Sequence, residues 1–262
     1  MDSREPAFLP RPDDWPQTQF NAHQTAAMER SVRFGLRRRE LEGVLPSGSV
    51  TIDAAIGVGG LPRGRMIELF GPPGVGKTTL GLQAVAAVQR EGDTVAFVDV
   101  ERAFDGAYAE RMGVNLDTLL LARADDGQQA FGIVEKLAAC KAVDLIVVDS
   151  VAALLPPEER VAALGESSPF GQCEMMASGL RRLARVLQSS PACVLFLNQV
   201  RAYPGFGYAE TSAGGWALKL QATVRADLQV RAEYRNRGTR LQLRVIKNLL
   251  ATPASAEFDF EG

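Results

Sequence analysis

From Pro46 onward, short apolar runs alternate with longer stretches in which apolar residues recur every three or four positions. "RMIELFG", "TVAFVDV", "LLLAR", "VDLIVVDS" and "ACVLFLNQV" have the length and near-continuous apolar character of buried strands. Between them, "KTTLGLQAVAAVQRE", "GAYAERMG", "GQQAFGIVEKLAACK" and "CEMMASGLRRLARVLQSS" read as helices. Strands that lack a polar face are covered on both sides, so this order predicts an α/β fold: a mostly parallel, twisted sheet with helices on both faces. The pattern then changes. "ATVRADLQVRAEY" and "TRLQLRVIK", joined by "RNRG", predict a C-terminal antiparallel hairpin that extends the sheet.

The N-terminal stretch follows another rule. Residues 1–20 hold four prolines and little periodicity, as an extended arm would. Residues 21–41 place Met28, Val32 and Leu36 at helical spacing, with Arg30, Arg33 and Arg37 on another face and Asn21 available as N-cap. Those arginines are either a solvated face or a binding patch. The expected organisation is an arm and helix over 1–45, used for docking, and a core over 46–262. A length of 262 residues has room for one large domain and such an appendage.

Composition narrows the class. The chain is 46% hydrophobic and 23% charged, as in a globular protein with a sizeable core. No apolar run reaches the length of a membrane span, and the acidic, Pro-rich first residues are unlike a signal peptide, so the expected location is cytoplasmic. The cysteines (Cys140, Cys173, Cys193) lack metal-ligand spacing and read as buried or free thiols, and the single histidine, His23, gives no cluster of imidazole ligands. A net charge of −2 argues against a surface that is basic throughout, so nucleic-acid binding would have to be local or accumulate over many subunits.

The chemistry is concentrated at strand ends. "GPPGVGKT" (Gly71, Pro72, Pro73, Gly74, Val75, Gly76, Lys77, Thr78), followed by Thr79, is a full phosphate-binding loop between a strand and a helix. Its glycines let backbone N–H groups turn around phosphates, Lys77 reaches the β- and γ-phosphates, and the Thr78 hydroxyl is the Mg²⁺ ligand. The earlier "GVGGLP", Gly57 to Pro62, has proline at its last position and no helix opening there, so it reads as a turn. Asp149 closes the apolar run "LIVVDS", where such folds place the acid of the Mg²⁺ shell. Asp99 and Glu101 lie at the end of the strand after the loop's helix. Glu101 is there a candidate base for a water at the γ-phosphate, with a helix cap as the alternative.

From Pro46 to the end the chain resembles the RecA-type bacterial recombinases. The resemblance is carried by "LPSGSVTIDAAIGVGGLPRGRMIELFGPPGVGKTTL", "AFVDVERAFDGAYAERMGV", "VDLIVVDSVAAL", "MMASGLRRLA", "LFLNQVR", "TSAGGWALKLQATVR" and "RVIKN". It implies a RecA-like core that binds ATP and Mg²⁺, assembles into filaments on single-stranded DNA, and acts in recombination, repair and the SOS response. It also implies residue roles. Glu101 matches the catalytic glutamate, Asp105 and Tyr108 the residues on adenine, Gln199 the γ-phosphate sensor, and Lys247 the first of two lysines that reach a neighbour's ATP. Two segments, 161–171 and 202–215, match the DNA-binding loops, with Gly165, Phe170, Arg201, Phe206, Gly214 and Gly215 as the expected contacts.

The sequence departs from that family in places. Leu249 stands where the second trans-acting lysine is expected, Leu220 where an aromatic is expected, and Trp216 where a polar residue is expected. Neither DNA-loop segment holds a Lys or Arg, which lowers the expected phosphate affinity per subunit. The match ends at Gly262, so the expectation is a core without the family's C-terminal domain. Three readings remain open at this point: a core-only, weakly DNA-dependent ATPase; an accessory paralogue that partners a recombinase filament or an error-prone translesion polymerase; and a hexameric motor. None involves a membrane.

Overall fold

The apolar runs line up in one sheet in the computed structural model, which describes residues 43–161, 171–202, 210–234 and 238–260. The chain divides into two compact units, residues 1–40 and 41–262, and every described residue lies in the second. The arm and helix expected ahead of Pro46 therefore lie almost wholly outside the described residues.

The second unit opens ahead of Pro46 with a short strand, β1 (Val44–Leu45), antiparallel to β2 (Leu61–Pro62). Between them is α1 (Val50–Ile56), whose N-cap Ser49 accepts a hydrogen bond from the Ile52 amide. Gly57 ends α1 in the left-handed conformation, so "GVGGLP", expected as a turn throughout, begins as a helix stop and ends in β2 because Leu61 and Pro62 pair with β1. Then follow β3 (Met66–Gly71), α2 (Lys77–Arg90), β4 (Val95–Asp99), α3 (Gly106–Arg111), β5 (Leu120–Arg123), α4 (Gly127–Ala139) and β6 (Leu145–Asp149). A short helix, α5 (Pro157–Val161), precedes α6 (Gly171–Val186), β7 (Cys193–Ala202), β8 (Glu210–Ser212), α7 (Trp216–Gln221), β9 (Val224–Tyr234), β10 (Gly238–Asn248) and β11 (Ser255–Phe260).

The sheet order is β11-β10-β9-β3-β7-β6-β4-β5, with β8 on β7. From β9 to β5 all neighbours are parallel. The antiparallel extension has three strands, because β11 adds to the expected hairpin. "SAEFDF" alternates apolar and polar residues but is short, and it pairs because Ala256 and Phe258 pack on the core.

Strand side chains alternate between two cores. Ile67, Leu69, Val95, Phe97, Leu145, Val147, Leu195 and Leu197 face α2, whose "LGLQAVAAV" is buried almost all round. Met66, Ala96, Val98, Ile146, Val148, Val194 and Phe196 face α4 and α6. This double covering is why the strands read as unbroken apolar runs. Cys193 is buried within β7, where burial pushes its thiol up to about 12, while Cys140 and Cys173 are free and exposed. No described helix is long and apolar enough to cross a membrane.

One charged cluster sits inside this sheet. Glu68, 0% exposed in the middle of β3, accepts hydrogen bonds from Asn198 Nδ2 at 2.8 Å and from Arg225 Nε. Asn198 Nδ2 also donates to the Ala213 carbonyl at 3.0 Å, and the Arg225 guanidinium lies 4.9 Å from the Phe70 ring centroid. The cluster ties β3, β7 and β9 to the segment that returns after β8.

Candidate active site

The parallel register brings four strand ends to one level. Gly71 of β3 pairs with Gln199 of β7, and Asp149 of β6 lies between Asp99 of β4 and Leu197 of β7. Chemistry in open α/β sheets occupies the crevice beyond such carboxyl ends.

The phosphate loop spans β3 and α2. Gly74 and Gly76 have φ of 74° and 98°, a region closed to most side chains. A Cβ on Gly71 would stand 2.3 Å from the Leu228 carbonyl oxygen, so β3 and β9 leave room only for glycine. Val75 is anchored in the core while Pro72, Pro73 and Gly74 are exposed, which leaves the loop backbone open in front of the positive end of α2. Lys77 is buried and donates to the carbonyls of Gly71 at 3.0 Å and Pro72 at 2.6 Å. Burial lowers its pKa, opposed by the carboxylates of Asp149 and Glu101.

Thr78 Oγ1 donates to Asp149 Oδ2 at 2.7 Å. The two expected metal ligands therefore already touch. Among the described residues no group of three His, Cys, Asp or Glu side chains forms a self-sufficient metal cage. This donor set suits Mg²⁺, which takes one or two protein oxygens together with substrate phosphates.

The acid pair after β4 separates into two roles. Asp99 is buried and accepts from the amides of Ala103 at 3.1 Å and Phe104 at 3.2 Å, so it shapes the turn. Glu101 is exposed and points to the crevice. Its Oε1 accepts from Gln199 Nε2 at 2.8 Å and from the Ser150 hydroxyl. Asp105 caps α3 by accepting from the Tyr108 amide at 3.0 Å, and the Tyr108 hydroxyl bonds Thr79 Oγ1 at 2.8 Å. Thr79, Asp105 and Tyr108 thus form one hydrogen-bonded flank next to the phosphate loop.

A family model described as the RecA N-terminal domain matches residues 25–261. The chain belongs to the RecA family. It is 46% identical over 236 residues to Protein RecA of Streptomyces ambofaciens, covering 87% of this chain and 63% of that protein. It is 47% identical over 223 residues to Protein RecA of Caldanaerobacter subterraneus, covering 82% of this chain and 65% of that protein. The RecA of Chloroflexus aurantiacus is 45% identical over 223 residues, covering 82% of this chain and 63% of the relative. The chain thus spans less than two thirds of the length of these RecA relatives.

The remaining expected residues are distributed unevenly. Gly165, Phe170 and Phe206 lie outside the described residues, as does the side chain of Arg201. Gly214 and Gly215 have φ of 82° and 72°; a Cβ on the first would meet Val151 and Met176, and on the second Cys173 Sγ at 2.8 Å. Their left-handed backbone favours glycine at both, and the nearby Met176 and Cys173 of α6 add to that. Lys247 Nζ donates to the carbonyls of Lys219 at 2.9 Å and Leu220 at 2.7 Å, which places its charge at the C-terminal end of α7. Burial lowers its pKa, as does the Arg225 charge, with Glu68 opposing. Ser150 and Glu68 were not singled out in the sequence. A serine directly after the strand-ending acid and a glutamate inside an apolar strand were the available signals.

Asp149 gives a pH-dependent prediction. Burial raises its pKa from 3.8 to about 6, with Glu101 and Asp99 adding to the rise against Thr78 and Lys77. Below 3.8 both folded and unfolded chains hold the proton. Between there and about 6 the unfolded chain releases it first, so the stability of the nucleotide-free chain falls as pH rises and then levels off. Asp149→Asn is expected to remove this penalty, stabilising the chain at pH 8 by up to about 3 kcal/mol and near pH 4 by little. Urea unfolding without metal or nucleotide, at both pH values, measures the difference.

Proposed function

We propose that this chain is the ATPase core of a RecA-family recombination and repair protein, acting on single-stranded DNA in its ATP-bound, assembled state. The observation that carries the reading is the joining of Thr78 to Asp149 and of Glu101 to Gln199 at the carboxyl ends of neighbouring parallel strands. In this mechanism Lys77 exchanges its loop carbonyls for the β- and γ-phosphates, and the loop amides and the start of α2 stabilise phosphate charge. Thr78 and the Asp149 carboxylate would hold Mg²⁺, which would neutralise charge on the phosphate oxygens. Glu101 orients the attacking water and accepts its proton, and Gln199 reports the γ-phosphate to the segment that follows β7. Tyr108 and Asp105 flank the base.

Two surfaces support self-assembly. Trp216, Leu220 and Leu249 are exposed apolar residues near Lys219 and Lys247. A groove of about 710 Å³ is lined by Met175 and Pro157 with Glu158, Glu159 and Glu174, and by Glu135 paired with Arg182. An apolar, cationic face and a largely acidic groove are complementary, which favours contact between copies, closed or in filaments. They favour a second copy of this chain over a polymerase as the partner.

A second reading, an accessory core with slow hydrolysis, is favoured by Leu249, which supplies no cation, and by Lys247, which is engaged within its own chain. One experiment separates the two: ATP binding and hydrolysis with and without single-stranded DNA, for the unmodified chain and for Leu249→Lys. The expected result is weak hydrolysis, stimulated by DNA and raised by the lysine. Nucleotide binding without hydrolysis under every condition would overturn the ATPase and leave the accessory role. Electron micrographs showing closed six-membered rings would favour the motor.

A further inference from the structure

We propose that Ser150 is a positioning residue for Glu101, holding one carboxylate oxygen so that the other faces the attacking water. The inference rests on the hydrolytic reading above. Glu101 lies on the loop after β4, exposed, with Arg102 beside it in the left-handed region. A glutamate in that setting has ample rotamer freedom, and ordering it has an entropic cost. Two groups restrain it, and both donate to Oε1: Ser150 Oγ and Gln199 Nε2. Oε2 is thereby left as the oxygen that takes a proton.

The two donors differ in kind. Gln199 is a half-buried side chain that must turn if it is to meet a phosphate. Ser150 is 1% exposed, lies between β6 and the turn Val151–Ala153, and has no room to follow a substrate. Its hydrogen bond is the one that persists when Gln199 leaves. The end of β6 then serves two sides of the reaction through consecutive side chains: Asp149 reaches Thr78 on the metal side, and Ser150 reaches Glu101 on the water side. One rigid strand end fixes the distance between metal ligand and base, as a positioned reaction requires.

The test uses the full chain with Ser150→Ala and with Ser150→Thr, which keeps the hydroxyl. Ser150→Ala is expected to lower kcat about 10- to 100-fold with little change in nucleotide affinity, because misplacing the base affects the reaction more than binding. Ser150→Thr is expected to retain most of the rate. In a Glu101→Gln background the further loss on removing the hydroxyl is expected to be under about twofold, since residues acting through one contact are not additive. An independent readout is the carboxyl ¹³C resonance of Glu101 in the nucleotide-free chain at fixed pH, assigned by its loss in Glu101→Gln. It should move in Ser150→Ala and stay near its original position in Ser150→Thr. A resonance unmoved by Ser150→Ala, or an undiminished loss of rate in the Glu101→Gln background, would overturn the proposal. Absence of turnover in the unmodified chain would overturn the hydrolytic reading instead, and the resonance would still decide whether Ser150 holds Glu101.

Discussion

Glu101→Gln is expected to lower ATP turnover by about 10²- to 10⁴-fold while nucleotide binding changes little, the effect typical of removing a general base. Glutamine keeps the shape of the side chain and its Oε1 still accepts from Ser150, so the loop should hold its place. What disappears is the acceptor for the proton of water. Neighbouring acids are poor substitutes. Both oxygens of Asp99 are committed to the amides of Ala103 and Phe104, and Asp149 Oδ2 accepts from Thr78. The measurement is steady-state phosphate release beside equilibrium binding of a fluorescent ATP analogue. A loss smaller than about threefold would show that another group takes the proton, because a base of this kind contributes at least about 10²-fold.

Arg225→Leu is expected to destabilise the chain by about 3–5 kcal/mol, as removal of one partner from a buried ion pair does. Glu68 has no access to water and its strongest partner is the Arg225 guanidinium, which is itself mostly buried with 12% of its side chain exposed. Without that cation, Asn198 still donates to the carboxylate, while the ammonium groups of Lys219 and Lys247 act on it from further away. Leucine fills part of the volume but leaves a charge that is costly to keep in a low-dielectric interior. A second substitution decides the cause. Adding Glu68→Gln to Arg225→Leu should restore much of the loss, because a neutral amide no longer needs a countercharge. Urea denaturation of the single and double variants measures both. If the double variant is no more stable than Arg225→Leu, the loss comes from packing around Phe70 instead.

The same cluster has a functional neighbour. Asn198 precedes Gln199, the proposed γ-phosphate sensor, and also holds the Ala213 carbonyl, so a change at Glu68 or Arg225 reaches Gln199 and the segment after β8 together. Arg225→Leu should therefore affect more than stability, and activity assays on it belong at a temperature where the chain is fully folded.

Much of the fold was legible because burial on both sheet faces leaves an unmistakable mark. Runs such as "LIVVDS" and "VLFLNQV" cannot be surface strands, and the helices between them force parallel crossovers. The phosphate loop was legible for a related reason. A chain that must bare its backbone to phosphate needs glycine at Gly74 and Gly76, and it needs Lys77 and Thr78 at a set spacing. The strand "SAEFDF" was overlooked although Ala256, Phe258 and Phe260 alternate with acids, because six residues give only a short period. The short pair β1 and β2 was not legible, being too brief to have a period.

The site divides along the same line. Local sequence decides what each strand end carries: Gly71 and Lys77 after β3, Asp99 and Glu101 after β4, Asp149 after β6, Gln199 in β7. It also decides that Asp105 caps a helix, since the acid and the amide it meets are three residues apart. Which of the two acids is left to serve the proposed reaction is decided elsewhere. Asp99 turns inward to amides of its own loop, and Glu101 reaches Ser150 and Gln199, 49 and 98 positions further along the chain. The positions of Lys247, on the carbonyls that end α7, and of Glu68, beside Arg225, are decided the same way. Hydrogen bonds and ion pairs between distant segments depend on strand order and register, which no local pattern encodes; the types of residue at the strand ends depend only on the chain itself.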